Sequence, residues 1–227
     1  MLIYLLFSSN LPFLDKLLMF VAFIIAAMVA LTVHEFAHAF VAHKCGDDTA
    51  KAAGRLTLNP IKHLDVTGFI CFALFGFGWA KPVPINSYNF KNIKRDSFWV
   101  SVSGVLSNII LAFILIPFWF LIIQYWGGGG YAFEFFEQLF EWLVFLNIIY
   151  FVFNLLPIYP LDGFNAIAAY LKYQNKFVIF MLRYSFLILI GFLIVVQIIY
   201  SMTGVSIILE LANYVSWPLQ QFWLLFF

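Results

Sequence analysis

Long apolar segments separated by shorter polar ones dominate the chain. Hydrophobic runs of membrane-spanning length lie at 17–43, 97–126, 139–157 and 177–200. Each could form a helix across a hydrocarbon core about 30 Å thick, so the pattern predicts an all-α, polytopic helical bundle in a membrane. A last segment, 203–227, is interrupted by Glu210, Asn213 and Pro218. It either spans the bilayer or lies at the interface.

A further apolar run at 66–80 is too short to cross a membrane as a helix. It contains Gly68, Gly76 and Gly78. Irregular backbone is tolerated at membrane depth only where protein shields its polar groups. We therefore expect a re-entrant, β-hairpin-like segment, whose edge over 66–84 is able to pair with an extended peptide.

Composition agrees with a membrane protein. The 227 residues are 64% hydrophobic and only 10% charged, which a soluble domain of this size could not accommodate. With a net charge of +1 and no basic patch interleaved with aromatics, nucleic acid is not an expected partner, whereas the lipid bilayer is. We expect a single integral membrane domain over 1–227, with a core at 17–170 and further spanning or interfacial segments at 177–227.

The distribution of charge predicts the orientation. Basic residues fall between spans one and two and between spans three and four, at Lys44, Lys51, Arg55, Lys62, Lys81, Lys91, Lys94, Arg95, Lys172 and Lys176. The opposite side, around glycines 127–130, has no Lys or Arg. By the positive-inside rule, the N-terminus faces outward and the basic loops face the cytoplasm.

Candidate chemistry lies at residues 34–38, which read His-Glu-Phe-Ala-His inside the first span. Residues four apart on a helix are rotated by about 40°, so His34 and His38 project from one face. Two imidazoles one turn apart beside a carboxylate are the arrangement of a hydrolytic zinc site, with Glu35 as the general base. Ionisable side chains inside a membrane helix are costly and usually functional.

A catalytic zinc ion needs a third protein ligand. His43 projects about 180° away from His34 on the helix, and His63 lies in a polar loop. Asp162 ends the third span on the same predicted side of the membrane as the histidines. We therefore predict a Zn²⁺ site whose ligands are His34, His38 and Asp162.

With HEFAH at 34–38 and NLLPIYPLDG at 154–163, the chain resembles the site-2 protease family of intramembrane zinc metalloproteases. The likeness covers about residues 17–170. Three further motifs occur in the family's order: GRLTLNP at 54–60, GFGWAKPV at 76–83 and SGVLSN at 103–108. The chain is similar to the compact prokaryotic members without a PDZ domain, because none of its segments is long enough to hold one.

The resemblance implies a fold, a location and a set of roles. It implies three core transmembrane helices around the zinc site, in the prokaryotic cytoplasmic membrane, with the active site toward the cytoplasm. The metal ligands and the base predicted above match the family's own. Asn154 matches a family asparagine that contacts the substrate backbone near the scissile bond.

Four more positions are singled out by their chemistry. Asn108 is a polar group in a span and needs a partner; either Asn108 or Asn154 is able to donate to the oxyanion, and the choice stays open. Pro157 interrupts the third span just before Asp162 and frees backbone groups. Gly78, in the apolar run, is a further candidate for substrate binding, and Gly104 is expected to allow close helix packing.

The predicted function is an intramembrane zinc endopeptidase that hydrolyses bonds within or near transmembrane segments of single-span membrane proteins. Zinc would activate a water and Glu35 would take its proton. The alternative is a membrane metal-ion transporter with the same residues as a transit site, although a transporter needs no general base and usually has several metal sites. A third hypothesis is a protein that holds membrane helices without cleaving them. The oligomeric state stays open.

Overall fold

The computed structural model describes residues 11–75, 78–126, 129–171 and 174–227. Within these ranges the chain forms α-helices and no strand. The helices are α1 (Phe13–Cys45), α2 (Thr49–Ala52), α3 (Pro60–His63), α4 (Val66–Phe75), α5 (Ile93–Tyr125), α6 (Tyr131–Asn154), α7 (Asp162–Ala168), α8 (Lys176–Thr203) and α9 (Ile207–Leu224). The predicted all-α class is confirmed.

Four helices, α1, α5, α6 and α8, are long and apolar enough to cross a membrane. They coincide with the four predicted spans. Helix α9 covers most of 203–227 and is not among the four. One face of α9 packs on α5 and α6 through Ala212 and Trp223, and the Trp223 indole N–H donates to the Phe113 carbonyl at 2.9 Å.

The structure differs from the prediction in the short apolar run. Residues Val66–Phe75 form a helix rather than the first arm of a hairpin. The carboxylate of Asp65 accepts the Gly68 N–H at 2.8 Å, which caps the start of the helix. Gly76 lies outside the described residues, and residues 78–86 continue without regular structure. Asp65, directly before the apolar run, is the residue in the sequence that indicates the start of a helix.

The core is the packing of α1, α5 and α6 against one another. Helix α1 contributes buried alanines, at Ala22, Ala26, Ala27, Ala30, Ala39 and Ala42. Small residues let helix backbones approach closely in a membrane, where apolar side chains gain little by leaving lipid. Phe23 of α1, with Leu143 and Leu146 of α6, fills the space beside this alanine stripe.

A buried carboxylate joins the end of α1 to the start of α5. Asp47 accepts the Asn86 N–H at 2.7 Å and the Asn89 side-chain amide at 2.8 Å, as well as the Thr49 N–H at 3.1 Å. Burial by itself would raise the pKa of Asp47, but these hydrogen bonds hold the pKa below its ordinary value. Asp47 therefore links the loop after α1 to the segment before α5 by hydrogen bonds.

Candidate metal centre

Two side chains of α1 and one of α7 meet at a point. His34 Nε2 lies 3.1 Å from His38 Nε2, and Asp162 Oδ2 lies 3.1 Å from the first and 3.3 Å from the second. Tetrahedral ligands about 2.0–2.1 Å from zinc are about 3.3 Å apart, close to the sides of this triangle. The side chains of His34 and Asp162 are only 7% and 12% exposed.

The histidines make their outer hydrogen bonds through Nδ1, and their Nε2 atoms face each other and Asp162. His34 Nδ1 bonds Asn108 Oδ1 at 2.7 Å, and His38 Nδ1 bonds the Val100 carbonyl at 2.7 Å. A neutral imidazole has one N–H, so in the neutral form, with Nδ1 as the donor, both Nε2 atoms present lone pairs. Asp162 Oδ2 is correspondingly buried without a hydrogen-bond partner, although both nitrogens are near. A divalent cation between the two nitrogens and the carboxylate oxygen would satisfy all three atoms, and this set of ligands suits zinc.

The turn that follows α6 places Asp162 next to His34 and His38. Helix α6 stops at Asn154, the chain turns over residues 155–161, and α7 begins with Asp162. A Cβ atom on Gly163 would lie 2.2 Å from the Leu155 carbonyl oxygen. Because only glycine fits there, α7 lies directly against the end of α6, and this contact fixes the position of the carboxylate.

Gly104 of α5 forms one wall of the centre. A Cβ atom there would lie 2.4 Å from His38 Nε2 and 2.8 Å from His34 Nε2. Helix packing was the expected reason for this glycine. The structure gives a narrower reason, because the atoms that approach it are the two metal-facing imidazole nitrogens.

Glu35 stands beside the triangle and is held by a backbone donor. Its Oε2 atom accepts the Val83 N–H at 3.0 Å. Pro82 and Pro84 flank Val83 and have no N–H, so Val83 provides the only main-chain donor of the three. Oε1 of Glu35 has no hydrogen-bond partner among the described residues.

The segment that carries Val83, residues 79–86, is called the strap. The Lys81 N–H donates to the His63 carbonyl at 3.0 Å, and the Arg55 guanidinium donates to the Lys81 carbonyl. Gly68 packs against the strap, since a Cβ atom there would lie 2.1 Å from the Trp79 carbonyl oxygen. Residues in separate parts of the sequence thus hold the strap against Glu35.

The structure places Asn108 behind the centre rather than in front of it. Its side chain is fully buried. Its Nδ2 atom donates to the Ala30 carbonyl at 3.1 Å and to Asn147 Oδ1 at 2.8 Å, which uses both amide hydrogens. Sequence reasoning missed Asn147, although a lone amide in an apolar span is a functional signal.

The other predicted substrate-binding residues lie in connecting segments or at a helix end. Asn154, the last residue of α6, is half-buried, and its Nδ2 donates to the Tyr150 carbonyl at 3.1 Å. Pro157 is exposed in the turn that leads to α7, and Gly78 directly precedes the strap. None of the three is part of the ligand triangle.

Comparison with known proteins finds relatives that are all named putative zinc metalloproteases. The protein named "Putative zinc metalloprotease YwhC" of Bacillus subtilis (strain 168) is 48% identical over 147 residues, which are 63% of this chain and 66% of that protein. "Putative zinc metalloprotease Rip2" of Mycolicibacterium smegmatis is 30% identical over 162 residues, 69% of this chain and 60% of that protein.

A Rip2 protein of Mycobacterium tuberculosis is 29% identical over 168 residues and is also covered to 60%. The chain therefore spans less than two thirds of the length of each of these relatives. No family model and no solved structure matches the chain.

Proposed function

The chain belongs to the site-2 protease family of zinc metalloproteases, with YwhC and Rip2 among its relatives, and from this premise we propose that it is an intramembrane zinc endopeptidase. Its substrates are the transmembrane segments of single-span membrane proteins. One observation carries the proposal: His34, His38 and Asp162 turn three potential ligand atoms toward one point, within 4.8 Å of one another. That point lies among helices long and apolar enough to cross a membrane.

The chain's own residues have separate tasks in this reaction. His34, His38 and Asp162 would hold the zinc ion, which when bound would supply an activated water at neutral pH and polarise the scissile carbonyl. Because Val83 holds Oε2 of Glu35, Oε1 is the atom that accepts the proton from the water. The same carboxylate then delivers this proton to the leaving amine.

The substrate must be extended at the site of cleavage, since a helical peptide bond keeps its carbonyl hydrogen-bonded within the helix. The candidates for holding such a backbone are Asn154, Pro157 and Gly78. Asn154 has an amide oxygen without a partner among the described residues. The partly exposed end of α6 is therefore a suitable place for a peptide to lie near Asp162.

The proposed location is the prokaryotic cytoplasmic membrane, with the active site toward the cytoplasm. Lys44 lies in the last turn of α1, and the basic loop residues follow it. His34 and His38 are closer to this end of α1 than to the other. The positive-inside rule places such an end at the cytoplasmic surface.

The proposal is tested with the purified full chain and single-span membrane proteins as substrates. Wild type, Glu35→Gln and Asp162→Asn are compared with and without a zinc chelator, and mass spectrometry locates any cut. We expect cleavage by the wild type only, abolished by the chelator. Zinc should remain bound to Glu35→Gln and be lost from Asp162→Asn. Undiminished cleavage by Glu35→Gln would contradict the mechanism.

Transport is the competing hypothesis, and the same preparations test it. Among the described residues, one group of three potential ligands is present, whereas transport usually involves several sites along a path. Zinc flux into proteoliposomes that is unaffected by Glu35→Gln, in the absence of any cleavage, would favour the transporter.

A further inference from the structure

A line of hydrogen-bonded side chains runs from α6 through α5 to the metal centre on α1. Asn147 Nδ2 donates to the Leu143 carbonyl at 2.7 Å. Asn108 Nδ2 donates to Asn147 Oδ1 at 2.8 Å, and Asn108 Oδ1 lies 2.7 Å from His34 Nδ1. Both asparagines are fully buried. We call this line the amide relay.

Two main-chain carbonyls fix the direction of every hydrogen bond in the relay. A carbonyl oxygen only accepts, so the Leu143 carbonyl requires the NH₂ group of Asn147 on its side. Asn147 therefore turns its oxygen to Asn108. The Ala30 carbonyl likewise requires the NH₂ group of Asn108.

The direction of the hydrogen bonds in the relay decides which ring nitrogen of His34 carries the proton. With both hydrogens of its amide group used, Asn108 is left with an oxygen facing His34. That oxygen accepts only if Nδ1 of His34 carries the proton. In the neutral imidazole Nε2 is then the unprotonated atom, and it is the one that faces Asp162. The orientation is thus set before any ion binds.

The neighbours of Asn147 make packing alone an insufficient reason for its presence. Leu146 and Ile148 beside it are buried and apolar, and α6 there packs on other apolar side chains. An amide in such a place is costly unless it is hydrogen-bonded. A leucine of similar volume would suit the packing but leave one Asn108 hydrogen without an acceptor.

We propose that Asn147 is a positioning residue for the zinc ligand His34, acting through Asn108. It holds the Asn108 amide in the one orientation that keeps the proton of His34 on Nδ1 and the imidazole plane aimed at the metal. This inference rests on the proposed function insofar as it presupposes a metal. It adds a residue of α6 to the residues of α1, α5 and α7 that form the centre.

The test measures metal binding rather than cleavage. All variants are made in the Glu35→Gln protein, so that self-cleavage plays no part, and Co²⁺ is the probe because its visible spectrum reports ligand geometry. Asn147→Leu removes the acceptor. Asn147→Asp, kept neutral by burial, retains an oxygen toward Asn108 and a donor toward Leu143. Ile148→Val is the control for packing in the same turn.

Losing an outer partner of a metal ligand costs about 10–100-fold in affinity. We expect Asn147→Leu to bind Co²⁺ about tenfold more weakly and with an altered spectrum. Asn147→Asp should stay close to the parent. Ile148→Val should lower the unfolding temperature of the metal-free protein without changing the spectrum.

The two possible failures are distinguishable. If the parent binds Co²⁺ and Asn147→Leu binds it with the same affinity and spectrum, the positioning role is wrong while the proposed function stands. If Asn147→Leu lowers only the unfolding temperature, as Ile148→Val does, Asn147 is merely structural. If the parent binds no metal, the proposed function fails and the inference fails with it.

Discussion

The core helix α1 and the peripheral helix α8 are similarly apolar but sit in different surroundings. In the most apolar stretch of α1, 39% of the residues are buried, against 6% in α8. Apolarity therefore identifies a membrane helix without saying which of its faces contacts protein. Apart from Phe23, the buried positions of α1 are alanines and polar residues, whereas the side chains that α8 exposes are mostly large and apolar.

The difference follows from the solvent. Because lipid is as apolar as a leucine side chain, contact between membrane helices depends on close packing and on hydrogen bonds rather than on expulsion of apolar surface. Helix α5 illustrates this with its buried residues Ser103, Gly104 and Asn108. Among the described residues of α8, only Val178 is buried.

The sharpest way to break this contrast is to add one methyl group to a glycine of the core. In Gly104→Ala the new carbon would lie 2.4 Å from His38 Nε2, so the ligands must move apart. We expect zinc affinity to fall by more than about 100-fold, beyond the loss caused by removing an outer partner. Cleavage should become undetectable.

A matched control lies in the periphery. A Cβ atom on Gly191 of α8 meets nothing within 4 Å. Gly191→Ala should leave zinc content and cleavage unchanged, and its higher helix propensity should stabilise by at most about 1 kcal/mol. Equal zinc content in the two alanine variants, measured by elemental analysis, would contradict the role of Gly104.

The contact between the strap and Glu35 is tested by removing a single hydrogen. Val83→Pro eliminates the N–H that holds Glu35 Oε2, whereas Val83→Ala keeps it. We expect the proline variant to lose about tenfold to a hundredfold in kcat, part of the about 10²–10⁴-fold that general-base catalysis contributes. Zinc content should not change. If the alanine variant loses as much kcat, the buried Val83 side chain rather than its N–H is responsible.

Truncating an aliphatic side chain should lower the free energy of unfolding more in the core helices than in α8. Ile116 of α5 is fully buried, whereas Leu187 of α8 is 68% exposed. Ile116→Ala should lower the free energy of unfolding by about 2 kcal/mol or more, and Leu187→Ala should change it by less than about 0.5 kcal/mol. Thermal unfolding in detergent measures both. Equal losses would mean that α8 packs as tightly as the core.

An effect that depends on pH is expected at the buried Asp47. Its pKa is lower in the folded protein than in the unfolded chain, so its contribution to stability is present above the unfolded pKa of about 4 and is lost as pH falls through the folded value. Asp47→Asn should be less stable than wild type at neutral pH, by about 1–3 kcal/mol. The two unfolding temperatures should converge in acid. A constant difference at every pH would contradict this assignment.

Much of the architecture was predictable from local patterns. The spans followed from the length of apolar runs, and the pairing of His34 with His38 followed from the period of a helix. Asp162 was selected by topology, since the first and third spans return to the same side. The resemblance to the site-2 protease family, based on the motifs in their order, is confirmed by the relatives.

The rest depended on contacts between residues far apart in sequence. A continuous apolar run has no periodicity that distinguishes a helix from a strand. The helix at 66–75 could be predicted only from Asp65, which caps its start. Asn147 is 39 residues from Asn108, and no spacing rule connects them. The strap reaches Glu35 across 48 residues and is likewise invisible to local patterns.

The central claim is that His34, His38 and Asp162 together hold one divalent ion, and zinc stoichiometry tests it most directly. The full chain is purified gently, without chelators, as wild type, Glu35→Gln and Asp162→Ala, and zinc per chain is measured by elemental analysis. The account predicts one zinc ion per chain in the wild type and in Glu35→Gln, and almost none in Asp162→Ala. A wild type without zinc, or an Asp162→Ala protein that keeps it, would contradict the account.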